Sequence, residues 1–311
     1  MPETERKGKP DWLRVRFPAG ENVNRIRGLL RAGALHSVCE ESLCPNQGEC
    51  WREGTATFLL LGEVCTRGCR FCAVATARRP APPDPEEPEK VGAAVAALGL
   101  RYVVLTSVDR DDLPDGGADH IARTVEALAR RAPDLLVEVL VPDFRGEEAA
   151  IDRIAGCGAD VLAHNLETVE RLTPQVRDPR AGYRLSLEVL ARFQEKAPGR
   201  LTKSSLMLGL GETEEEVRTA LGDLRAAGVG IVTLGQYLRP SPRHLPVVEY
   251  LHPSRFDEWR RRAEGMGFLY AAAGPLVRSS YRAGEFFVRA LLRSGRWEGE
   301  GDGRAASIPG S

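Results

Sequence analysis

The chain has 311 residues, enough for one large α/β barrel domain or two average domains, and its 42% hydrophobic and 28% charged content is that of an ordinary globular protein. Lys plus Arg total 43 against 44 Asp plus Glu, so no global field favours nucleic acid or an anionic membrane, although charge balance leaves a local basic patch open. No stretch approaches the roughly 18 apolar residues that cross a bilayer, and residues 1–11 are polar and carry no secretory signal core; a cytoplasmic protein with a disordered leader is expected.

In chain order, residues 1–54 read as loop-like. They hold one short helix over 25–35 and then Cys39, Cys44 and Cys50 among Pro, Gly and Asn. A short apolar run ending in Gly predicts a buried strand over 56–62. Strands follow over 102–107, 135–141, 161–166, 203–208 and 230–235, separated by amphipathic helices over 90–98, 120–131, 147–155, 183–196 and 214–227. Beyond 255 the pattern is helical, over 256–266 and 285–292, with Gly274-Pro-Leu-Val-Arg-Ser-Ser-Tyr281 between them and a disordered end over 298–311.

Six strands alternating with helices predict a parallel sheet with right-handed crossovers. The fold class is α/β, a partial (β/α)6 TIM-type barrel with an N-terminal cluster-binding loop and a C-terminal helical extension, divided at 1–54, 55–254 and 255–311. In such folds functional groups collect at the C-terminal strand ends. Those ends carry the cysteine loop after Gly62, then 106–115, 142–144, 164–168 and 208–213.

Six of the seven cysteines lie before position 73, in two compact sets. Without a secretion signal, metal or redox chemistry is a better reading than disulfides. Cys65, Cys69 and Cys72 have the spacing C-x3-C-x2-C on a loop after the first strand. Three thiolates on a short loop can hold three irons of a 4Fe-4S cubane and leave the fourth open to another ligand. Gly68 lets the backbone curl, and Arg67 and Arg70 add charge that favours thiolate. The competing reading is zinc, which ordinarily takes four protein ligands. Cys39, Cys44 and Cys50, spaced C-x4-C-x5-C, could hold a second cluster whose fourth ligand comes from elsewhere, or a structural zinc. Cys157 stands alone between two glycines and reads as a small hydrophobe.

The C-x3-C-x2-C loop after the first strand resembles the radical S-adenosylmethionine superfamily. Cys39-Glu-Glu-Ser-Leu-Cys-Pro-Asn-Gln-Gly-Glu-Cys-Trp51 is similar to the second-cluster motif of lipoyl synthases. So are Gly54-Thr-Ala-Thr-Phe58, Val108-Asp-Arg-Asp-Asp-Leu113, His164-Asn-Leu-Glu-Thr168, Met207-Leu-Gly-Leu-Gly-Glu-Thr213 and Arg278-Ser-Ser-Tyr281, in order over about 20–290. The first cysteine set together with Arg278-Ser-Ser-Tyr281 is the specific part; Cys65, Cys69 and Cys72 alone point only to the superfamily.

The resemblance implies a radical sulfurtransferase with two 4Fe-4S clusters and S-adenosylmethionine as cofactors. Cys65, Cys69 and Cys72 would bind the cluster that cleaves S-adenosylmethionine, yielding a 5′-deoxyadenosyl radical. Cys39, Cys44 and Cys50 would hold the auxiliary, sulfur-giving cluster, with Ser280, rather than Ser279, as its fourth ligand. The implied substrate is an octanoyl chain on a lysine of a lipoyl carrier domain, either a dehydrogenase E2 subunit or the glycine cleavage H protein, with an electron donor such as flavodoxin or ferredoxin. Thr106, Ser107, Asn165, Glu167 and Arg184 are candidate S-adenosylmethionine contacts, and Lys203 and residues 208–212 are expected near it. The charge run Asp109, Arg110, Asp111 and Asp112 could position substrate or pair with Arg278. Other enzymes of the superfamily, such as those like biotin synthase or a methylthiotransferase, and a non-catalytic metal-binding scaffold, are the alternatives.

Overall fold

The structure, a computed structural model, describes residues 10–13, 21–41, 44, 46–52 and 55–280. The rest of the leader, Tyr281, the helix expected over 285–292 and the expected disordered end lie outside the described residues.

Seven parallel strands run in chain order across one sheet: β1 (Thr55–Leu60), β2 (Tyr102–Ser107), β3 (Leu136–Leu140), β4 (Val161–Ala163), β5 (Leu201–Leu208), β6 (Ile231–Gln236) and β7 (Tyr270–Gly274). A two-residue strand, His36–Ser37, adds antiparallel to the free edge of β1, and β1 and β7 do not pair. The helices are α1 (Glu21–Ala32), α2 (Glu87–Leu98), α3 (Ala118–Arg131), α4 (Glu148–Ala155), α5 (Tyr183–Lys196), α6 (Glu214–Ala226) and α7 (Pro253–Gly265). α6 begins where the sequence places it, because Thr213 and Glu216 form a reciprocal capping box.

The tail is not all helical. Residues 270–274, Tyr-Ala-Ala-Ala-Gly, carry no β-branched residue and read as helix-prone. Their pairing with β6 from Tyr270↔Ile231 to Gly274↔Gly235 overrides that preference and adds the seventh strand. The segment of the first 54 residues also differs from a loop. Cys39 lies on a short helix, Val38–Glu41, and Cys50 on another, Gln47–Arg52; both cysteines are buried in the main core beside Trp51.

Alternate residues of each strand face opposite ways. Val103, Leu105, Val137, Val139 and Leu162 pack outward with Val91, Val95, Ile121, Val125, Ile151 and Ile154 of α2, α3 and α4. Tyr102, Val104, Val161, Leu201 and Ile231 form a separate inner cluster. Glu138, in register with Val104, and Lys203, in register with Ile231, share that inner face. Lys203 Nζ donates to both oxygens of Glu138 at 2.8 Å, and the Tyr102 hydroxyl donates to Glu138 at 2.8 Å. This buried triad occupies the barrel interior, so Lys203 is committed to Glu138 rather than free for a cofactor. Cys157 is buried in the outer core, as a small hydrophobe would be.

Candidate functional site

The loop bearing Cys65, Cys69 and Cys72 leaves the C-terminal end of β1, and a network of arginines and aspartates pins it there. Arg67, 2% exposed at its side chain, reaches Asp111 with two hydrogen bonds of 2.9 Å and Asp143 with two of 2.7 Å, and Asp109 lies 3.3 Å away. Burial opposes its charge, but the bonds to Asp111 and Asp143 outweigh it and hold the guanidinium firmly protonated. Thr66 N–H and Oγ1–H both donate to the Asp109 carbonyl at 2.9 Å. Gly68 N–H donates to Asp178 at 2.8 Å, and Asp178 N–H in turn to Cys69 Sγ at 3.3 Å. Arg180 joins Asp178, Asp111 and the Thr66 carbonyl, and its hydrogen bonds hold the Asp178 carboxyl far below the usual carboxylate range. On the far side of the loop, His244 Nε2 lies 2.8 Å from the Cys72 carbonyl.

The expectation that Arg67 would favour thiolates is therefore corrected. Its charge goes to three carboxylates, and burial moves the thiols in the opposite direction. Burial and then Asp109 push Cys65 up to about 12, burial pushes Cys69 to about 12, and burial raises Cys72. Arg278 does not pair with the charge run either: Arg67, Arg180 and Arg110 take those aspartates.

Thr106 and Ser107 end β2, half-buried, and the Ser107 Oγ is a buried atom with no hydrogen-bond partner. Asn165 and Glu167 follow β4, where Asn165 Nδ2 donates to Glu167 at 3.1 Å. Glu167 adopts φ +69°, a left-handed conformation that costs a non-glycine residue energy and clusters at functional sites. Burial raises its carboxyl, and Arg177 nearby opposes that rise. Arg177 itself is buried, donates to Ser186 at 2.7 Å, and feels the charges of Cys69 and Asp109. Arg184 stands apart from this group: its guanidinium pairs with Glu170 at 2.9 Å, over the Tyr183 ring, and is mostly exposed.

The second triad lies across the open side of the barrel. Ser37 Oγ donates to the Thr57 carbonyl at 2.7 Å and accepts from Cys39 N–H at 3.2 Å, and the Cys39 thiol touches Thr57. Thr57 is in register with Val104, so it shares the inner face. Cys44 N–H donates to the Cys39 carbonyl at 3.0 Å and Cys50 N–H to the Asn46 carbonyl at 3.0 Å. Asn46 Nδ2 then reaches across to the Leu276 carbonyl at 2.6 Å, just after β7, and Arg278 lies close enough to Cys44 to lower its thiol pKa. Burial and then Cys39 nonetheless push Cys44 up to about 11. The N-terminal segment thus bridges the gap between β1 and β7, and Arg278 lies beside Cys44.

Sequence reasoning missed Asp143, Arg177, Asp178, Arg180 and His244. Asp143 lay in a strand-end segment already singled out, but nothing local marks it as the partner of Arg67, 76 residues earlier. The run Arg177-Asp-Pro-Arg180 is a dense charge signal in a strand-end loop and could have been noticed.

Both triads consist of free cysteines. Among the described residues, the one set of three His, Cys, Asp or Glu ligand atoms within 4.8 Å of one another is that of His36, Glu41 and Glu63. Thiolates around one zinc at about 2.3 Å stand closer together than that, so neither triad is gathered for a single ion. As a three-thiol donor set, each fits a cubane with one iron left for another ligand. The orphaned Ser107 Oγ and the buried Glu167 carboxyl beside the first cradle fit a polar cofactor.

Comparisons with known proteins agree. The model of the radical SAM superfamily matches residues 59–224, and that of the N-terminal domain of lipoyl synthase matches residues 1–44. A lipoyl synthase of Anaeromyxobacter sp. is 58% identical over 92% of this chain and 97% of its own length. A mitochondrial lipoyl synthase of Culex quinquefasciatus is 55% identical over 94% of this chain and 78% of its own. A chloroplastic one of Arabidopsis thaliana is 54% identical over 92% and 74%. The FeFe-hydrogenase maturase HydG of Carboxydothermus hydrogenoformans shares the fold, with a TM-score of 0.56, 14% identity, and coverage of 86% of this chain and 68% of that one. The named organelles of two relatives mean that membership does not fix a compartment; among the described residues no helix is long and apolar enough to cross a membrane. The chain belongs to the lipoyl synthase family of the radical SAM superfamily, whose cofactors are S-adenosylmethionine and 4Fe-4S clusters.

Proposed function

We propose that this chain inserts two sulfur atoms, at carbons six and eight, into an octanoyl chain carried on a lysine of a lipoyl carrier protein, with each cysteine set serving one cluster. The observation that carries the reading is the placement of Cys39 beside inward-facing Thr57 while the loop of Cys65, Cys69 and Cys72 crowns the same barrel. Cys65, Cys69 and Cys72 would hold the cluster that works on S-adenosylmethionine. Cys39, Cys44, Cys50 and Ser280 would hold the auxiliary one. In this reading 1–54 and the part of 255–311 that follows β7 supply the auxiliary site to the barrel, tied by Asn46 and Leu276. When bound, these groups supply an electron, a carbon radical strong enough for unactivated C–H bonds, and sulfide.

The protein's own contribution is position and exclusion of water. No general base in the ordinary pKa range could deprotonate an alkyl carbon, so no side chain needs to act as one. Arg67 locks the cysteine loop to the ends of β2 and β3 through Asp111 and Asp143. Thr106, Ser107, Asn165 and Glu167 offer polar groups at the strand ends, and Arg177 places a buried cation among Cys69, Asp109 and Glu167. Glu138 and Lys203 fill the interior, which leaves the C-terminal mouth as the route for a tethered chain. Six reduced thiols suit a reducing, cytoplasm-like compartment. The reductant would be a flavodoxin or ferredoxin type protein.

The test separates the two triads. Cys39→Ala should keep S-adenosylmethionine cleavage and lose thiolated product, whereas Cys69→Ala should lose both. Product formation by Cys39→Ala would overturn the sulfur-donor assignment.

A further inference from the structure

We propose that the rim around the cysteine loop, built from residues 64–83 and 237–248, is a docking surface for an acidic face of the carrier protein that presents the alkyl chain. The inference rests on the function proposed above and extends it to how the macromolecular substrate is held. From Val64 to Pro83 the sequence contains four arginines and not one Asp or Glu; from Tyr237 to Val248 it contains two arginines, a histidine and again no acid. The chain as a whole balances 43 basic against 44 acidic residues, so two carboxylate-free stretches at one place are a local polarisation.

The structure brings these stretches together. Leu245 N–H donates to the Arg70 carbonyl at 3.2 Å, His244 Nε2 meets the Cys72 carbonyl, and the Tyr237 hydroxyl feels both Arg70 and Arg239. Ala77 N–H donates to the Cys65 carbonyl at 3.0 Å, which places Arg78 and Arg79 directly after the same loop. Of the six arginines, Arg67 is buried in its aspartate clamp, while Arg70, Arg78, Arg79, Arg239 and Arg243 are exposed. None of these five has a carboxylate within 4.0 Å among the described residues. On the outer helices most arginines are ion-paired, Arg130 and Arg131 with Glu89, Arg153 with Asp119 and Glu126, Arg192 with Glu148 and Asp152, and Arg255 and Arg262 with Glu214, while Arg31, Arg123 and Arg261 stand singly and apart from one another along the chain. Five exposed guanidiniums without a carboxylate, gathered beside one loop where Arg70 is held by the Gln175 carbonyl and Arg239 by the His244 and Pro242 carbonyls, are what a site for anionic side chains looks like. Arginine also suits it chemically, since its planar fork takes a carboxylate with two hydrogen bonds. Such a rim steers an oppositely charged partner and weakens with salt.

The test uses the full-length enzyme with both clusters reconstituted. Binding of an octanoylated carrier domain is measured by calorimetry, and turnover with dithionite as reductant is measured on that domain and on a short uncharged octanoyl-lysine peptide. The triple variant R78E/R79E/R243E should weaken carrier binding by about tenfold or more, raise the carrier KM in proportion, and flatten the salt dependence. Its turnover of the peptide should stay within about twofold of the parent, and Arg218→Glu, on α6 away from the rim, should bind the carrier as the parent does. Unchanged carrier affinity in the triple variant overturns the proposal, as does an equal loss on carrier and peptide. A defect that appears only when a flavodoxin replaces dithionite would assign the rim to the electron donor and overturn it too. Because calorimetry needs no turnover, a parent enzyme that binds the carrier but thiolates neither substrate would count against the proposed reaction and leave the rim result standing.

Discussion

Asp143→Ala attacks the clamp that fixes the first cysteine loop. Asp143 is fully buried and accepts two hydrogen bonds of 2.7 Å from Arg67, and it caps the following turn by accepting from Arg145 N–H at 2.9 Å. Burial alone would raise its carboxyl, but Arg67 holds it below the usual range, so the pair is ionised at neutral pH. Removing one partner of a buried ion pair costs about 3–5 kcal/mol. Here Arg67 keeps Asp111 at 2.9 Å and Asp109 at 3.3 Å, so the lower end, about 3 kcal/mol, is expected. Asp143→Asn keeps the shape and one acceptor and should cost about half as much. Urea unfolding gives both numbers, and a cycle with Arg67→Met isolates the coupling. If Asp143→Ala lies within about 1 kcal/mol of the parent, the loop is not held by this clamp.

Three further outcomes are expected. A Cβ on Gly235 would sit 2.1 Å from the Val277 carbonyl oxygen, so Gly235→Ala must displace the backbone at Val277 and with it Arg278, which lies beside Cys44. Iron per reconstituted chain should fall from about eight toward about four while S-adenosylmethionine cleavage persists, and full iron content would contradict the link between that segment and the triad. Glu138→Gln leaves Lys203 buried against a neutral partner and should cost about 3 kcal/mol by urea unfolding; a loss below about 1 kcal/mol would mean that the interior pair is replaceable. Burial, with Arg177 adding to it, lowers His164 to about 4 in the folded protein. The unfolded chain, near 6.5, then binds the proton more readily, so this stability is present above about pH 6.5 and lost as pH falls toward 4, by about 3 kcal/mol in total. Asp109, raised by burial to about 6, works in the opposite direction over the same window. The slope is therefore read as the difference between cluster-free parent and His164→Gln, in which the Asp109 contribution cancels; identical slopes would refute it.

Much of the fold was legible because it repeats. Each strand of the six expected ones recurs within a few residues of its place, and α5 coincides with the expected 183–196, since apolar runs and helical periodicity are local signals. The seventh strand was not legible, because Tyr270-Ala-Ala-Ala-Gly274 becomes extended only through pairing with β6. The cysteine spacings marked the two sets, while the environment of their thiols did not follow from neighbouring charge. Arg67 sits two residues from Cys65, yet its charge goes to Asp109, Asp111 and Asp143, brought in by the ends of β2 and β3. Short-range charge in the sequence said what was available, and tertiary pairing decided where it went. The contact that spans the gap between β1 and β7, Asn46 with Leu276, joins positions 230 residues apart and has no local signature.

Sulfur origin is the decisive quantity. The auxiliary centre can be rebuilt with heavy-isotope sulfide, the enzyme exchanged into natural-abundance buffer, and an octanoyl-lysine peptide weighed by mass spectrometry after a single anaerobic round. Two heavy sulfur atoms in the product are expected from a triad at Cys39, Cys44 and Cys50 that gives up its own sulfide; light sulfur in a thiolated product would contradict that assignment.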